Sequence, residues 1–364
     1  MTSKSFVRLF VLFFLLLILF CVSFVIIFDP FFHYHKPLSF MQYKLDSGDQ
    51  RYLTDGIGKH WSYDAIITGT SMTENFKSSE FDKEFNVSSI KIPIYGSSWK
   101  EIDDNLIRIL KVKNPEIKCI LQGLDTNLVL DEQDWYKYNT HLYPFYLYDN
   151  NPLNDIQYLL NKEVIFKKII RNIFYTIDGN KTTSFDEYSN WNKDAEFGPR
   201  PVWNYYKDKR PEKKLETRIL SENDKTLISV NVNRILALVD DYPDIQFYFF
   251  FTPYSILYFD GLKQQGELKR TIDALKYATS LMVNDHRNLQ IFSFFDKKEI
   301  ICDLNNYKDT GHYSELINSE IIKLIGHREG LLTELNYSAY WNSVYNFYDL
   351  YDYDTLIDSL PSSF

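Results

Sequence analysis

The sequence predicts an α/β protein: a doubly wound parallel sheet with helices on both faces, three layers in all. It stands behind an N-terminal transmembrane helix and carries one large insertion. Three observations lead there. Short, wholly apolar runs alternate with segments of helical spacing, the pattern of parallel strands buried on both faces. A long uncharged run, Leu9 to Phe28, precedes them, and the stretch from 131 to 225 breaks the alternation. Hydrophobic residues at 45% and charged residues at 24% are ordinary for a globular chain, so the whole is not disordered.

The elements follow in order. Leu9–Phe28 forms a helix that, at about 1.5 Å per residue, covers a hydrocarbon core of roughly 30 Å. No small-residue cleavage site follows in Phe28-Asp29-Pro30-Phe31-Phe32, so the segment is expected to be retained as an anchor. Phe20 before Cys21 is too bulky for lipoprotein processing. Lys4 and Arg8 leave residues 1–8 in the cytoplasm and the rest outside. Residues 29–60 then read as a juxtamembrane linker; His33 and His35, two ligands only, do not make a metal site.

The α/β domain is expected over 61–327. Ala65–Thr70 is the first strand, with helical spacing from Thr73 to Phe85. Ile90–Tyr95 is the second strand, followed by an amphipathic helix from Trp99 to Val112. Ile117–Leu121 is the third, stopped at Gly123. After the 131–225 insertion, which holds Trp135, Trp191 and Trp203, a helix begins at Ser221, a suitable cap. The run IQFYFFF at 245–251 is a strand, then a helix spans Leu262–Val283, a strand Leu289–Phe295 and a helix His312–Ile325. The tail, 328–364, reads as a peripheral packing segment.

A net charge of −9 argues against sequence-independent nucleic-acid binding, which needs a basic surface. Three cysteines exclude a disulfide scaffold or a multi-cysteine zinc module; Cys119 and Cys302 read as free thiols. No Gly-rich phosphate loop and no metal cluster stand out, so no cofactor or metal is assigned. The aromatic share of 17% reflects biased residue usage rather than a special aromatic function.

Chemistry in such sheets sits outside the carboxyl ends of the strands. The first strand ends in Gly69-Thr70-Ser71, where a serine on a strand-to-helix turn is exposed beside a helix N-terminus. It is either a nucleophile or simply a helix cap. The second ends in Gly96-Ser97-Ser98, where glycine lets backbone N–H groups approach an oxygen and Ser98 is a competing nucleophile. The third ends in Gly123-Leu124-Asp125-Thr126-Asn127, with a polar side chain for an oxyanion. Asp309-Thr310-Gly311-His312 follows the last strand. That spacing lets a carboxylate hold an imidazole while its other nitrogen faces the crevice.

This arrangement resembles the SGNH (GDSL-like) hydrolase superfamily, a flavodoxin-like α/β fold. Gly69-Thr70-Ser71 looks like its Gly-Asp-Ser nucleophile block, with Thr70 in place of Asp. Gly96 looks like the second-block oxyanion glycine. Gly123-Leu124-Asp125-Thr126-Asn127 departs from Gly-x-Asn-Asp, leaving Asp125 or Asn127 for the third oxyanion place. Asp309 and His312 match the last block. With its N-terminal anchor, the chain is similar to the branch holding the D-alanyl transfer protein of teichoic-acid operons and the alginate O-acetylation proteins.

The resemblance implies a Ser71–His312–Asp309 triad in a membrane-anchored, extracytoplasmic serine esterase or O-acyltransferase. It would act on an acylated glycan or cell-wall polymer, with a multi-span membrane-bound O-acyltransferase as a partner. Hydrolysis and transfer stay open. So do two other readings: an inactive glycan-binding module using Trp191 or Trp203, and a scaffold for the membrane acyltransferase.

Overall fold

The computed structural model describes residues 3–113, 116–132, 135–137, 143–284 and 286–360. The chain forms two units, residues 63–137 with 185–364 and residues 1–62 with 138–184. The stretch 131–225 is thus shared between them.

The larger unit is built on one sheet of six strands: β1 (Ala65–Thr68), β2 (Ser89–Lys91), β3 (Cys119–Leu124), β4 (Gln246–Phe251), β5 (Leu289–Ser293) and β6 (Leu331–Leu332). Their order is β2-β1-β3-β4-β5-β6. The first five are parallel, and β6 runs antiparallel on β5. The chain leaves β1 for the β2 edge, then crosses back to place β3 on the other side. Between β1 and β3 the winding therefore reverses, the point at which open parallel sheets bind ligands.

The strands are the continuous apolar runs that a doubly covered sheet needs. Every residue of β1 and β3 is buried, and in β4 Phe247, Phe249, Phe250 and Phe251 are fully so. Each such side chain contributes about 1.5–3 kcal/mol by leaving water. The helices Ser78–Phe85 and Glu315–Gly326 pack together, and Trp99–Lys113, Glu222–Asp241, Leu268–Met282 and Tyr337–Leu350 pack as a series.

Several boundaries differ from the sequence reading. The helix expected from Thr73 starts only at Ser78, because residues 71–73 form a single 3-10 turn. The second strand ends at Lys91, although Ile92 and Ile94 still donate to the carbonyls of Ile67 and Gly69. The helix expected over 262–283 is two, Ile256–Gln264 and Leu268–Met282. Gly266 between them takes φ +70 and lies so close to the Glu216 carbonyl that a side chain there would collide. The last helix of the alternation starts at Glu315, three residues after His312.

The tail contributes β6 and the Tyr337–Leu350 helix. Trp341 of that helix is fully buried, its indole N–H donating to Thr279 at 2.9 Å. Cys119 and Cys302 are free thiols; burial pushes that of Cys119 up to about 12.

In the smaller unit, the helix Ser3–Phe28 is long and apolar enough to cross a membrane. Its end is tied off by Asp29, whose carboxylate accepts the backbone N–H groups of His33, Tyr34 and His35 and the hydroxyl of the fully buried Tyr158. His33 and His35 go separate ways, the first to Asp155 and the second to the carbonyls of Ile26, Ile27 and Lys36. Residues 29–60 include a helix, Gln50–His60. Residues 42–45 are pinned by Asn172, Thr176, Thr182 and Thr183.

Candidate active site

All the strand ends singled out in the sequence meet in the larger unit. β1 stops at Thr68, and Gly69 then takes φ +146. A β-carbon there would lie 2.6 Å from the methyl of Thr73, and one on Gly123 at 2.8 Å from the same methyl. Two glycines on neighbouring strands thus make room for Thr73 and let the 71–73 turn fold tightly against the sheet. Thr70 caps that turn, accepting from the Met72 N–H, and Ser71 follows at its first position.

The partner loop is a small hairpin closed by the Tyr307–Tyr313 bridge and the bond from Lys308 N–H to the His312 carbonyl. It is anchored to the end of β4. The fully buried Tyr307 donates its hydroxyl to the Pro253 carbonyl, and Ser255 donates its backbone N–H and its hydroxyl to that of Thr310.

Across the gap the Ser71 hydroxyl lies 2.9 Å from Nε2 of His312, and Nδ1 of His312 lies 2.9 Å from Oδ2 of Asp309. Ionised Asp309 has only acceptors, so Nδ1 carries the proton and Nε2 is left to accept from Ser71. Burial pushes the Asp309 carboxyl up. The His312 hydrogen bond and charge, with the N–H groups of Gly311 and His312, more than offset this and hold it below its ordinary value. The carboxylate is therefore ionised and fixed by its own loop. Trp191 braces the pair: its indole donates to the Ser71 carbonyl at 3.4 Å and stands edge-on to the His312 ring at 5.7 Å.

These residues open onto a cavity of about 310 Å³ lined by Ser71, Gly96, Ser97, Asp125, Asn127 and His312, with Trp135, Tyr205, Tyr254 and Tyr258 as aromatic walls. That is the lower end of the range for small-molecule sites. Gly96 has φ +58, and Lys137 crosses it with its ammonium 4.0 Å from the Tyr95 ring centre. Among the described residues, no hydrogen-bond partner takes the N–H of Ser71 or of Gly96. Both remain available to a bound oxygen.

The third strand end separates its two candidates. Asn127 is exposed in the cavity, and its carbonyl accepts the Tyr254 hydroxyl at 3.0 Å, which turns its NH₂ into the available donor. Asp125 is buried beneath, accepting from Thr70 at 2.6 Å. Burial pushes its carboxyl up to about 6, against the Thr70 hydrogen bond and the charge of His312. An ionised carboxylate has no hydrogen to give an oxyanion; its geometry suits it to hold Thr70.

Ser98 is placed differently. Its hydroxyl donates to the Trp135 carbonyl at 2.6 Å and accepts from Glu101 N–H at the start of the Trp99–Lys113 helix, so it acts as a cap. Trp191 is packed between Phe197, Lys308 and His312 rather than presented as a flat sugar platform, and Trp203 is not in the cavity lining. Tyr254, Tyr258 and Tyr205 were not legible as site residues: nothing marks them among 28 tyrosines.

Compared with known proteins, the sequence matches no protein-family model, and no curated protein matches it.

Proposed function

We propose that the larger unit is a serine esterase or O-acyltransferase of the SGNH type, working from a membrane through Ser71, His312 and Asp309. The observation that carries this is the unbroken chain Ser71–His312–Asp309, at 2.9 Å in each step, over an open cavity. Helix capping, the bland role for Ser71, falls to Thr70 instead. The 2-1-3-4-5 strand order and the two groups of helices are what a three-layer SGNH domain would have.

In this mechanism His312 takes the proton of Ser71 as the serine oxygen attacks an ester carbonyl. The tetrahedral oxyanion settles among the N–H groups of Ser71 and Gly96 and the NH₂ of Asn127. His312 then gives its proton to the departing alkoxide, leaving an acyl-enzyme. Water or a sugar hydroxyl, deprotonated by His312 in its turn, completes hydrolysis or transfer. Each oxyanion donor of this kind is typically worth about 3–4 kcal/mol.

The aromatic walls Trp135 and Tyr205, both partly exposed, suit the apolar faces of a sugar ring, which supports an acylated glycan or cell-wall polymer as substrate. The Ser3–Phe28 helix supports attachment to a membrane; work at its outer face, beside a multi-span O-acyltransferase, is part of the same proposal.

The test is labelling of the full chain, in detergent or vesicles, by a fluorophosphonate probe. Label is expected on the unmutated protein and on Ser98→Ala, and none on Ser71→Ala or His312→Ala. A folded protein that takes no label, or keeps it in Ser71→Ala, would refute the reading.

A further inference from the structure

The smaller unit carries a helical segment whose polarity is inverted. The π-helix Val164–Ile169 continues into the helix Ile170–Ile177. Its inner side bonds to the chain: Asn172 accepts the Lys44 N–H, Thr176 accepts the Gln42 N–H, and Lys168 and Arg171 reach Asp46. On a helix of a water-soluble protein the opposite side would be charged. Here Phe166, Ile170, Ile173, Phe174 and Ile177 stand at i, i+4, i+7, i+8 and i+11, one face of a helix. Phe166, Phe174 and Ile177 are 65%, 59% and 71% exposed. Just before this segment Leu153, Ile156 and Leu160 are also exposed, while Asp155 and Tyr158, on the inner side, bond to the turn after the first helix.

The occupant of this face is indicated by what adjoins it. Both the Ile156–Leu159 turn and the Val164–Ile169 segment pack directly against the Ser3–Phe28 helix, whose outward side is exposed and apolar along nearly its whole length. Twenty-six residues at about 1.5 Å each exceed a hydrocarbon core of roughly 30 Å, so the helix brings its own end to the boundary layer. The exposed stripe therefore begins where the span leaves the membrane. Lys162 and Lys181 stand exposed at its two ends, long cationic side chains of the kind that reach anionic headgroups while their stems lie along acyl chains.

We propose that the 164–177 segment lies in the interfacial layer of the bilayer crossed by the Ser3–Phe28 helix. Phe166, Phe174 and Ile177, with Leu153, Ile156 and Leu160, are immersed among lipid acyl chains. The smaller unit is then attached to the membrane a second time, monotopically, which fixes how that unit sits on it. This rests on reading Ser3–Phe28 as a span.

The experiment places p-benzoylphenylalanine singly at Phe166, Phe174, Phe14 or Lys44 in the full chain, in vesicles of phosphatidylcholine and phosphatidylglycerol and in native membranes. After irradiation, adducts are identified by mass spectrometry. Lipid adducts are expected at Phe166, Phe174 and Phe14, and none at Lys44, which is exposed on the segment bonded to the inner side of the helix. Adducts at Phe14 with none at Phe166 and Phe174 would overturn the proposal and leave the span intact. Protein adducts in place of lipid at Phe166 and Phe174 in native membranes would overturn it in favour of a protein partner. Equal lipid labelling at Lys44 would also overturn it, and absence of lipid at Phe14 would refute the span and the proposal together.

Discussion

Replacing Asp309 by Asn changes one atom and should nearly abolish acylation of Ser71. Oδ1 of Asp309 already accepts two backbone N–H groups, from Gly311 at 2.9 Å and His312 at 2.8 Å. In Asp309→Asn only a carbonyl oxygen can keep both, so the new NH₂ must occupy the Oδ2 position, 2.9 Å from Nδ1 of His312. Nδ1 also lies 3.1 Å from Oδ1, but that oxygen is already shared by two backbone N–H groups, so the nearer N–H at 2.9 Å favours Nδ1 as acceptor and moves the ring proton to Nε2. Nε2–H then faces the Ser71 hydroxyl and cannot take its proton. The same exchange in the serine-protease template costs about 10⁴ in turnover, or about 5 kcal/mol at 1.36 kcal/mol per decade. The assay is the second-order rate of fluorophosphonate labelling, with hydrolysis of a chromogenic acyl ester beside it and circular dichroism to check the fold. A folded Asp309→Asn protein reacting within tenfold of the unmutated rate would refute this account of the loop.

Three further outcomes are expected. Gly69→Ala places a β-carbon 2.6 Å from the Thr73 methyl at φ +146, costing about 1–3 kcal/mol; Tm and labelling should both fall, and adding Thr73→Ser, which removes that methyl, should restore part of each. Ser98→Ala should lower stability by about 1 kcal/mol through the lost cap while labelling proceeds. Asp125 has a folded pKa of about 6 against an ordinary 3.8, raised chiefly by burial, so the folded state holds its proton longer than the unfolded one. Stability should therefore decline as pH rises from about 4 through 6, and Asp125→Asn, which still accepts from Thr70, should flatten that decline and raise stability at pH 8 by up to about 3 kcal/mol, seen as a higher Tm. An Asp125→Asn protein with an unchanged Tm–pH curve would count against this.

The sequence disclosed the sheet because each strand is buried on both sides, and burial on both sides writes itself as an unbroken apolar run such as Ile245–Phe251. It disclosed Ser71, Gly96, Asp309 and His312 because strand ends and short spacings are local features. What stayed hidden was non-local. β6 has two residues, too few for periodicity, and exists because Gly330 and Leu331 find the β5 edge. The break at Gly266 is imposed by the backbone at Glu216, fifty positions earlier. Tyr254 takes its place at the site through a hydrogen bond to Asn127, and Trp191 its place beside His312 through bonds to Asn75 and Ser71, all more than a hundred positions away. The stripe at 164–177 lies inside the 131–225 insertion, where the sequence reading assigns no helix, and the periodicity of a helix does not say which face is outward.

Two of the places where the chain departs from the SGNH pattern are one contact. Thr70 stands where the resemblance has an acidic residue, and Asp125 is a carboxylate where it has an amide. Taken singly, each weakens the resemblance. An Asp and an Asn can pair as acceptor and donor; a Thr and an Asp can pair with those roles exchanged. Thr70 and Asp125 do so at 2.6 Å, across the β1–β3 switch point and directly behind Ser71. The exchange has a consequence that neither residue shows alone. The negative end now lies just after β3, buried, where it and His312 attract each other. An imidazolium forming as Ser71 attacks would thus meet two carboxylates, Asp309 in direct contact and Asp125 at longer range. The demand on Asp309 is shared, and Asp125→Asn should slow acylation less than Asp309→Asn does, and without any change of tautomer.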